Sequence, residues 1–295
     1  MIPLRRHRLI GRFAGVSAVV AVAIVLAGCA APATPAGVPE GIATELRQGR
    51  FDVEARQLVV HVENGSASPV DIDGLVVTAP VFSAPLEHDQ PFDLSAGEGI
   101  DIRIDLPDPQ CGSGEGEPLV ELRGRTADEP FTGEVAPTDP FDTLERIGAT
   151  DCLAASVDAV AAITLPEHLR TTGSGAAQRA WIDVLVTPEP SGDASFVIDV
   201  VHGTTLLNAE DGPEWPLALD VATGGEPITI TLAVRPARCD AHAIADDKRG
   251  TILPFEITTN DGLTGRIDRS SGDSLQAELY DYLTERCGLG TPPVG

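Results

Sequence analysis

Apolar and polar residues alternate with a period of two through most of the chain after residue 41. In the clearest segment, Ile100, Ile102 and Ile104 are separated by charged residues. A strand with this pattern turns one face to a hydrophobic core and the other to water, as in an antiparallel sheet packed on one side. Turn signals recur at short intervals, among them Asn64-Gly65, a dipeptide that favours a tight hairpin.

The alternating segments predict two groups of strands. In the first half we expect strands near 58–63, 70–77, 100–106, 119–124 and 131–135, and in the second half near 158–165, 180–187, 195–202, 226–234, 251–258 and 264–268.

The second half repeats the plan of the first. The segment 91–111 aligns with 216–239: in both, a short strand leads through a Gly/Glu turn to an alternating strand, a proline and a cysteine. Further along, a leucine precedes a cysteine by eight residues in each half, at Leu144 and Leu279. We therefore predict two copies, residues 42–155 and 156–290, each of ordinary domain size.

Each copy is predicted to end in one helix. In the first, Asp139 is expected as the N-cap with Pro140 at the first helical position. In the second, Asp273 is expected as the N-cap with Gln276 in capping-box position. The apolar stripe of the second helix consists of Leu275, Leu279, Tyr282 and Leu283.

The predicted fold class is mainly β: two tandem antiparallel sandwiches, each closed by a short C-terminal helix and one disulfide. Short strands with frequent turns resemble immunoglobulin-like modules. That likeness implies no function, because one fold carries many functions.

The N-terminal 29 residues read as an export signal. Four arginines precede an uncharged apolar stretch, Ala14 to Ala27, which is shorter than the roughly 20 residues that a membrane-spanning helix needs. The end of this stretch, Leu26-Ala27-Gly28-Cys29, resembles the lipobox of bacterial lipoprotein precursors. The resemblance implies that residues 1–28 are a signal peptide and that Cys29 carries a diacylglyceryl anchor. Residues 29–41 would then be a lipidated tether, and residues 291–295 a short tail.

This N-terminus predicts an extracytoplasmic protein, anchored by lipid at the outer face of the cytoplasmic membrane. An ordinary signal peptide and an uncleaved anchor are the alternatives.

Four cysteines remain beyond Cys29, two in each copy, and four cysteines allow three pairings. The repeat selects Cys111–Cys152 and Cys239–Cys287. A four-cysteine metal site is disfavoured because no C-x-x-C spacing occurs.

Beyond the predicted signal peptide, 16 basic side chains stand against 45 acidic ones, a balance of −29. Such a charge repels nucleic-acid phosphates, so we expect no nucleic-acid partner. A basic protein or a cation is the partner class that this charge favours.

Sequence signals for catalysis are weak. Gly272-Asp273-Ser274-Leu275 spells the GDSL signature of a hydrolase family, but no histidine follows it as that family requires. The other histidines are scattered, without metalloprotease or serine-hydrolase spacing. The acidic pairs that would attract Ca²⁺ lack a calcium-loop motif; they are Asp71/Asp73, Glu115/Glu117 and Asp246/Asp247. We predict no catalytic residue, no metal site and no cofactor.

Trp215, which lies between Pro213 and Pro216, is interpreted as a loop residue and as a candidate contact with a partner; burial against its own sheet is the alternative. The leading hypothesis is a non-catalytic binding, scaffolding or interaction protein of the cell envelope. The alternatives are an envelope hydrolase with its site between the repeats and an acidic subunit of an envelope complex.

Overall fold

The computed structural model describes residues 37–290 except 113, 115, 128 and 248. The predicted signal peptide, Cys29, most of the tether, Glu115 and the C-terminal tail lie outside these residues. Within them, no helix combines the length and the apolar character that a membrane crossing needs.

The first half contains eight strands and two helices, in the order β1 (Ile42–Arg47), α1 (Arg50–Ala55), β2 (Gln57–Asn64), β3 (Val70–Thr78), β4 (Leu86–His88), β5 (Phe92–Leu94), β6 (Gly99–Asp105), β7 (Leu119–Thr126), β8 (Glu129–Val135) and α2 (Thr143–Asp158). The second half continues with β9 (Ala161–Thr164), β10 (Arg170–Thr172), a single 3₁₀ turn (Gly175–Ala177), β11 (Arg179–Pro188), β12 (Ser195–Val201), β13 (Leu207–Ala209), β14 (Trp215–Ala222), β15 (Ile228–Pro236), α3 (Ala241–Ala245), β16 (Ile252–Thr259), β17 (Thr264–Ser270) and α4 (Asp273–Cys287).

Each half forms a sandwich of two antiparallel sheets. In the first, β1-β2-β6 pack against β4-β3-β7-β8, and β5 also pairs with β3. In the second, β10-β11-β15-β13, with β9 on β11, pack against β14-β12-β16-β17. The pairings of β2 with β6 and of β3 with β7 correspond to those of immunoglobulin-like sandwiches. The predicted fold class is confirmed.

The two halves share their central pairings as well as their fold class. β2–β6, β3–β7 and β7–β8 in the first half recur as β11–β15, β12–β16 and β16–β17 in the second. Both halves also break register at the same point of the equivalent strand, at Asp73 in β3 and at Asp199 in β12. One short strand differs: β4 extends the sheet of β3, whereas β13 joins the sheet of β15.

Helix α2 belongs to both sandwiches. Leu144 and Ile147 lie in the hydrophobic core of the first, while Leu153 and Val157 lie in the core of the second. The helix also packs against β1 on one side and against β9 and β17 on the other. The predicted boundary between residues 155 and 156 therefore falls inside a helix.

The helix starts differ from those predicted. Helix α2 begins at Thr143, not at Pro140, because Asp139 to Asp142 form a turn and Asp142 has a left-handed backbone, with φ of 50°. The carboxylate of Asp139 still accepts hydrogen bonds from the backbone amides of Thr143 and Leu144, with N···O distances of 2.7 and 2.9 Å. Helix α4 has Gly272 as its N-cap and Asp273 as its first residue.

The predicted buried face of α4 is confirmed, since all four stripe residues are buried. Between the helices, the strand predicted near 158–165 is shorter, because α2 continues to Asp158 and β9 begins only at Ala161.

Both predicted disulfides are present. Cys111–Cys152 ties the segment after β6 to α2, and Cys239–Cys287 ties the segment after β15 to the end of α4. Their Cα atoms are 5.5 and 5.3 Å apart, within the usual disulfide range.

Candidate binding groove between the sandwiches

The GDSL residues lie where α4 starts. Asp273 occupies the first turn, where a negative charge is stabilised by the helix dipole, and Leu275 is buried in the second core. Among the described residues, Ser274 has no hydrogen bond to a histidine or a carboxylate. The position of the GDSL residues at the start of α4 therefore accounts for their presence in the sequence.

The histidines of the described segment lie apart, and three of them pair with carboxylates. His61 pairs with Asp101 at 2.7 Å and His168 with Glu278 at 2.8 Å. His202 lies between Glu256 and Glu214, at 2.7 and 3.1 Å. In the part of the chain that the structure describes, no three His, Cys, Asp or Glu side chains meet as a metal site would require.

Carboxylate pairing raises the pKa of two of these histidines. The pKa of His202 is raised chiefly by its hydrogen bond to Glu256, and Glu214 adds to the effect against partial burial. The pKa of His168 is raised chiefly by its hydrogen bond to Glu278. On the other side of that pair, the pKa of Glu278 is lowered first by the backbone amide of Leu169 and then by His168.

Three carboxylates of the acidic pairs considered for Ca²⁺ already have protein partners. Asp71 and Asp73 both face Arg125, at 3.9 and 3.0 Å. Asp247 accepts hydrogen bonds from the amide of Gly250 and from the hydroxyl of Tyr280. These carboxylates are therefore engaged in ion pairing and in loop structure.

Trp215 does not lie in a loop. It is the first residue of β14, its side chain is buried, and its indole Nε1 donates to the carbonyl of Ala233 at 2.9 Å. The ring packs in the second core because neighbouring strands cover it, so the loop placement was wrong and the ring offers no exposed contact.

A groove of about 570 Å³ lies where the two sandwiches meet. Its volume falls within the range of ligand sites in proteins, roughly 300–1,000 Å³. Residues of both sandwiches and of α2 line it: Gln48, Val53, Arg56, Leu106, Arg146, Ile147, Thr150, Asp151, Ala154, Arg266, Ile267, Asp268 and Arg269. The groove exists because α2 crosses from one sandwich to the other while β17 runs beside it.

The lining is rich in arginine. Four of its 13 residues are arginines, against fifteen arginines in the whole chain beyond the predicted signal peptide. Only two lining residues, Asp151 and Asp268, are acidic. The groove is therefore locally cationic on a protein whose overall charge is strongly negative.

Ion pairs hold three of these arginines in place. Arg56 binds Asp151 through two hydrogen bonds of 2.9 and 3.1 Å, Arg266 donates to Asp268 at 2.6 Å, and Arg269 donates to Asp158 at 2.8 Å. Paired guanidinium groups are oriented by these contacts and keep further N–H donors for a ligand.

Arg146 differs from the other three arginines. Its Nε donates to the carbonyl of Phe141 at 3.1 Å, and within the described residues it has no carboxylate partner. The side chain is exposed and stands on α2 beside Ile147 and Thr150. Because no described carboxylate compensates its charge, Arg146 is the candidate anion-binding group of the groove.

A second cavity, of about 690 Å³, lies between α3 and α4, and its polar lining is mainly acidic or hydroxylic. Its residues are Ile244, Tyr280, Asp281, Thr284, Glu285, Gly288 and Gly290. This cavity is formed by the second half of the chain alone, and its lining contains no basic side chain. We therefore take the groove between the sandwiches as the candidate site.

No motif in the sequence indicates this groove. Its arginines come from the residue after α1, from α2 and from β17, and the first and the last are more than 200 residues apart along the chain. The one signal available in the sequence was the pair Arg266 and Arg269 on an otherwise polar strand, which does not by itself indicate a site.

No known protein family and no curated protein matches the chain. Solved structures match it at low similarity. The red sea bream transglutaminase is 11% identical with a TM-score of 0.24, over 80% of this chain and 32% of that one. The chain thus spans about a third of that protein.

Two bacterial proteins match over most of their own length. The Pseudomonas aeruginosa CupB2 chaperone is 11% identical with a TM-score of 0.19, over 74% of this chain and 94% of that one. The E. coli chaperone DraB is 12% identical with a TM-score of 0.19, over 78% and 98%. Matches at this level assign neither a family nor a function.

Proposed function

We propose that this chain is a non-catalytic binding protein of the cell envelope, anchored by lipid at Cys29, which holds a partner in the groove between its sandwiches. The observation that carries the proposal is the groove itself: a cationic, partly apolar cleft to which both sandwiches contribute.

The groove supports binding better than catalysis. Its described lining contains no serine, histidine or cysteine, the side chains most often used as nucleophile or general base. Guanidinium groups beside aliphatic side chains provide recognition by charge and by burial of apolar surface. The hydrolase alternative, with a site between the repeats, finds no such groups at this position.

The membrane anchor rests on the lipobox. Two acyl chains on one cysteine give stable attachment, whereas a single chain is marginal. Labelling of growing cells with an alkyne fatty acid is expected to mark the wild-type protein and not the Cys29→Ser variant. Persistent labelling of that variant would contradict the anchor.

The binding site is tested by photo-crosslinking in intact cells. A benzoylphenylalanine residue at Val53, exposed at the groove, is compared with one at Thr187, exposed on β11 and outside the groove lining. We expect one adduct from position 53 that disappears on Arg146→Gln, and none from position 187. Adducts from position 187 alone would contradict the groove as the site.

A basic partner on the acidic outer faces remains the second candidate, favoured by the balance of −29. Such an association would weaken steeply as salt rises, because exposed charges are screened beyond about 8 Å at physiological ionic strength. It would not depend on Arg146.

A further inference from the structure

We infer that the groove accepts an extended peptide segment that carries carboxylate side chains, with Arg146 as the main anchor. This inference rests on the proposed function and names the chemical class of the partner. The partner inferred for this site is acidic, whereas the negative charge of the whole chain favours a basic one.

The charge of the groove favours an anionic ligand. Arg56, Arg146, Arg266 and Arg269 line the groove, and the nearby carboxylates Asp151, Asp158 and Asp268 satisfy three of them. Arg146 is left with terminal N–H donors that no described carboxylate accepts. A planar guanidinium with two adjacent donors matches a carboxylate group.

The lining also has an apolar part, formed by Val53, Leu106, Ile147, Ala154 and Ile267. Ile147 and Ile267 are already buried in the two cores, whereas Val53 is exposed and Leu106 and Ala154 are partly exposed. A small anion such as phosphate would leave these last three side chains in contact with water. A peptide with apolar side chains next to acidic ones would cover them and gain from the burial of apolar surface.

Long-range repulsion by the rest of the protein does not prevent an acidic peptide from binding in the groove. Most of the negative charge lies elsewhere on the surface, and at physiological salt its effect is screened beyond about 8 Å. Hydrogen-bonded contacts inside the groove are much shorter, so the local guanidinium groups decide which ligand charge is accepted.

The experiment measures fluorescence anisotropy of labelled peptides on the disulfide-intact protein at physiological salt. Three eight-residue probes alternate leucine with glutamate, with glutamine or with lysine. We expect the glutamate probe to bind, and the other two to bind at least about tenfold more weakly, since each charge-assisted hydrogen bond is strong enough for such a factor.

Variants locate the binding. Arg146→Gln is expected to weaken binding of the glutamate probe about tenfold. Thr150→Trp is expected to block this binding by filling the groove. The matched control is Arg125→Gln, which removes an arginine of similar exposure on β7, outside the groove, and is expected to leave binding unchanged. Circular dichroism and the melting temperature establish that each variant is folded.

The outcomes separate the inference from the proposed function. Equal binding of the three probes, blocked by Thr150→Trp, would keep the groove as a binding site and overturn the acidic peptide. No binding of any probe by the folded protein would overturn both. A fourth probe has glycine in place of leucine in the glutamate probe. Full competition by millimolar inorganic phosphate, with equal binding of the two glutamate probes, would show anion binding alone and would also overturn the peptide.

Discussion

His202 has a carboxylate at each of its ring nitrogens, and this arrangement links the stability of the protein to pH. Glu256 and Glu214 hold the folded-state pKa of His202 above the ordinary value of 6.5. The charged pairs therefore stabilise the fold fully below that value, and their contribution is lost as the pH rises through the folded-state pKa.

We predict that the free energy of unfolding of the wild type exceeds that of His202→Gln at pH 5.5, and that the difference shrinks by pH 8.5. The side chain is about a third exposed, so the difference is expected to stay below about 1 kcal/mol. Urea titrations at several pH values measure it. His168→Gln is a second test at another place, because Glu278 raises the pKa of His168 in the same direction. A difference that grows with pH would contradict the assignment.

Arg146 shows what residue patterns in the sequence can and cannot predict. The chain reveals its charge and its place on a helical segment, but not that the other sandwich brings Arg266 and Arg269 to the same groove. Trp215 fails for a related reason: flanking prolines indicated a loop, whereas pairing of β14 with β12 and burial in the core decided its position.

Among the elements, α2 carries most of the connection between the sandwiches. Ile147 packs in the first core and Leu153 in the second, within one uninterrupted helix. Substitution of either residue by alanine is expected to cost about 2–5 kcal/mol, as for other large buried side chains.

The two substitutions are distinguishable because both tryptophans, Trp181 and Trp215, lie in the second sandwich. We predict that Leu153→Ala shifts the urea midpoint seen by tryptophan fluorescence. If the halves unfold separately, Ile147→Ala shifts mainly the midpoint seen by circular dichroism. The exposed Thr187→Ala on β11 is the control and is expected to shift neither. A fluorescence midpoint unmoved by Leu153→Ala would contradict the shared helix.

The disulfides attach the closing helices to the segments that follow β6 and β15: Cys152 lies within α2, and Cys287 is the last residue of α4. They close loops of 41 and 48 residues, and loop-closure entropy assigns each about 4 kcal/mol of stability, less any strain. We predict that each double variant, Cys111→Ser/Cys152→Ser or Cys239→Ser/Cys287→Ser, has a free energy of unfolding at most about 4 kcal/mol below that of the wild type, as measured by urea titration. If removal of one disulfide abolished the secondary structure of both sandwiches, that disulfide would stabilise more than the loop that it closes.

The repeat in the sequence predicted these elements well. Aligned cysteines selected the disulfide pairing, and apolar spacing identified the buried face of α4. The start of α2 and its crossing into the second core were missed, because Asp142 in a left-handed conformation and the packing of Val157 depend on tertiary contacts.

For the molecule as a whole, the position of a cut decides whether the second sandwich keeps its core. A fragment of residues 143–290 retains α2 with Leu153, whereas a fragment of residues 156–290 loses that side chain. We predict that the shorter fragment is less stable by about 2–5 kcal/mol, or does not fold. Tryptophan fluorescence in urea compares the two. Equal midpoints would show that α2 contributes nothing to the second sandwich.

The central claim is that the molecule binds its partner in the groove between the sandwiches. Hydrogen–deuterium exchange, with and without a saturating concentration of the glutamate–leucine peptide, tests it most directly. The account predicts slower exchange of backbone amides in α2 and β17, around residues 146–154 and 266–269, with the outer strands unchanged. Protection confined to outer strands, or no protection while the peptide is bound, would contradict the groove as the binding site.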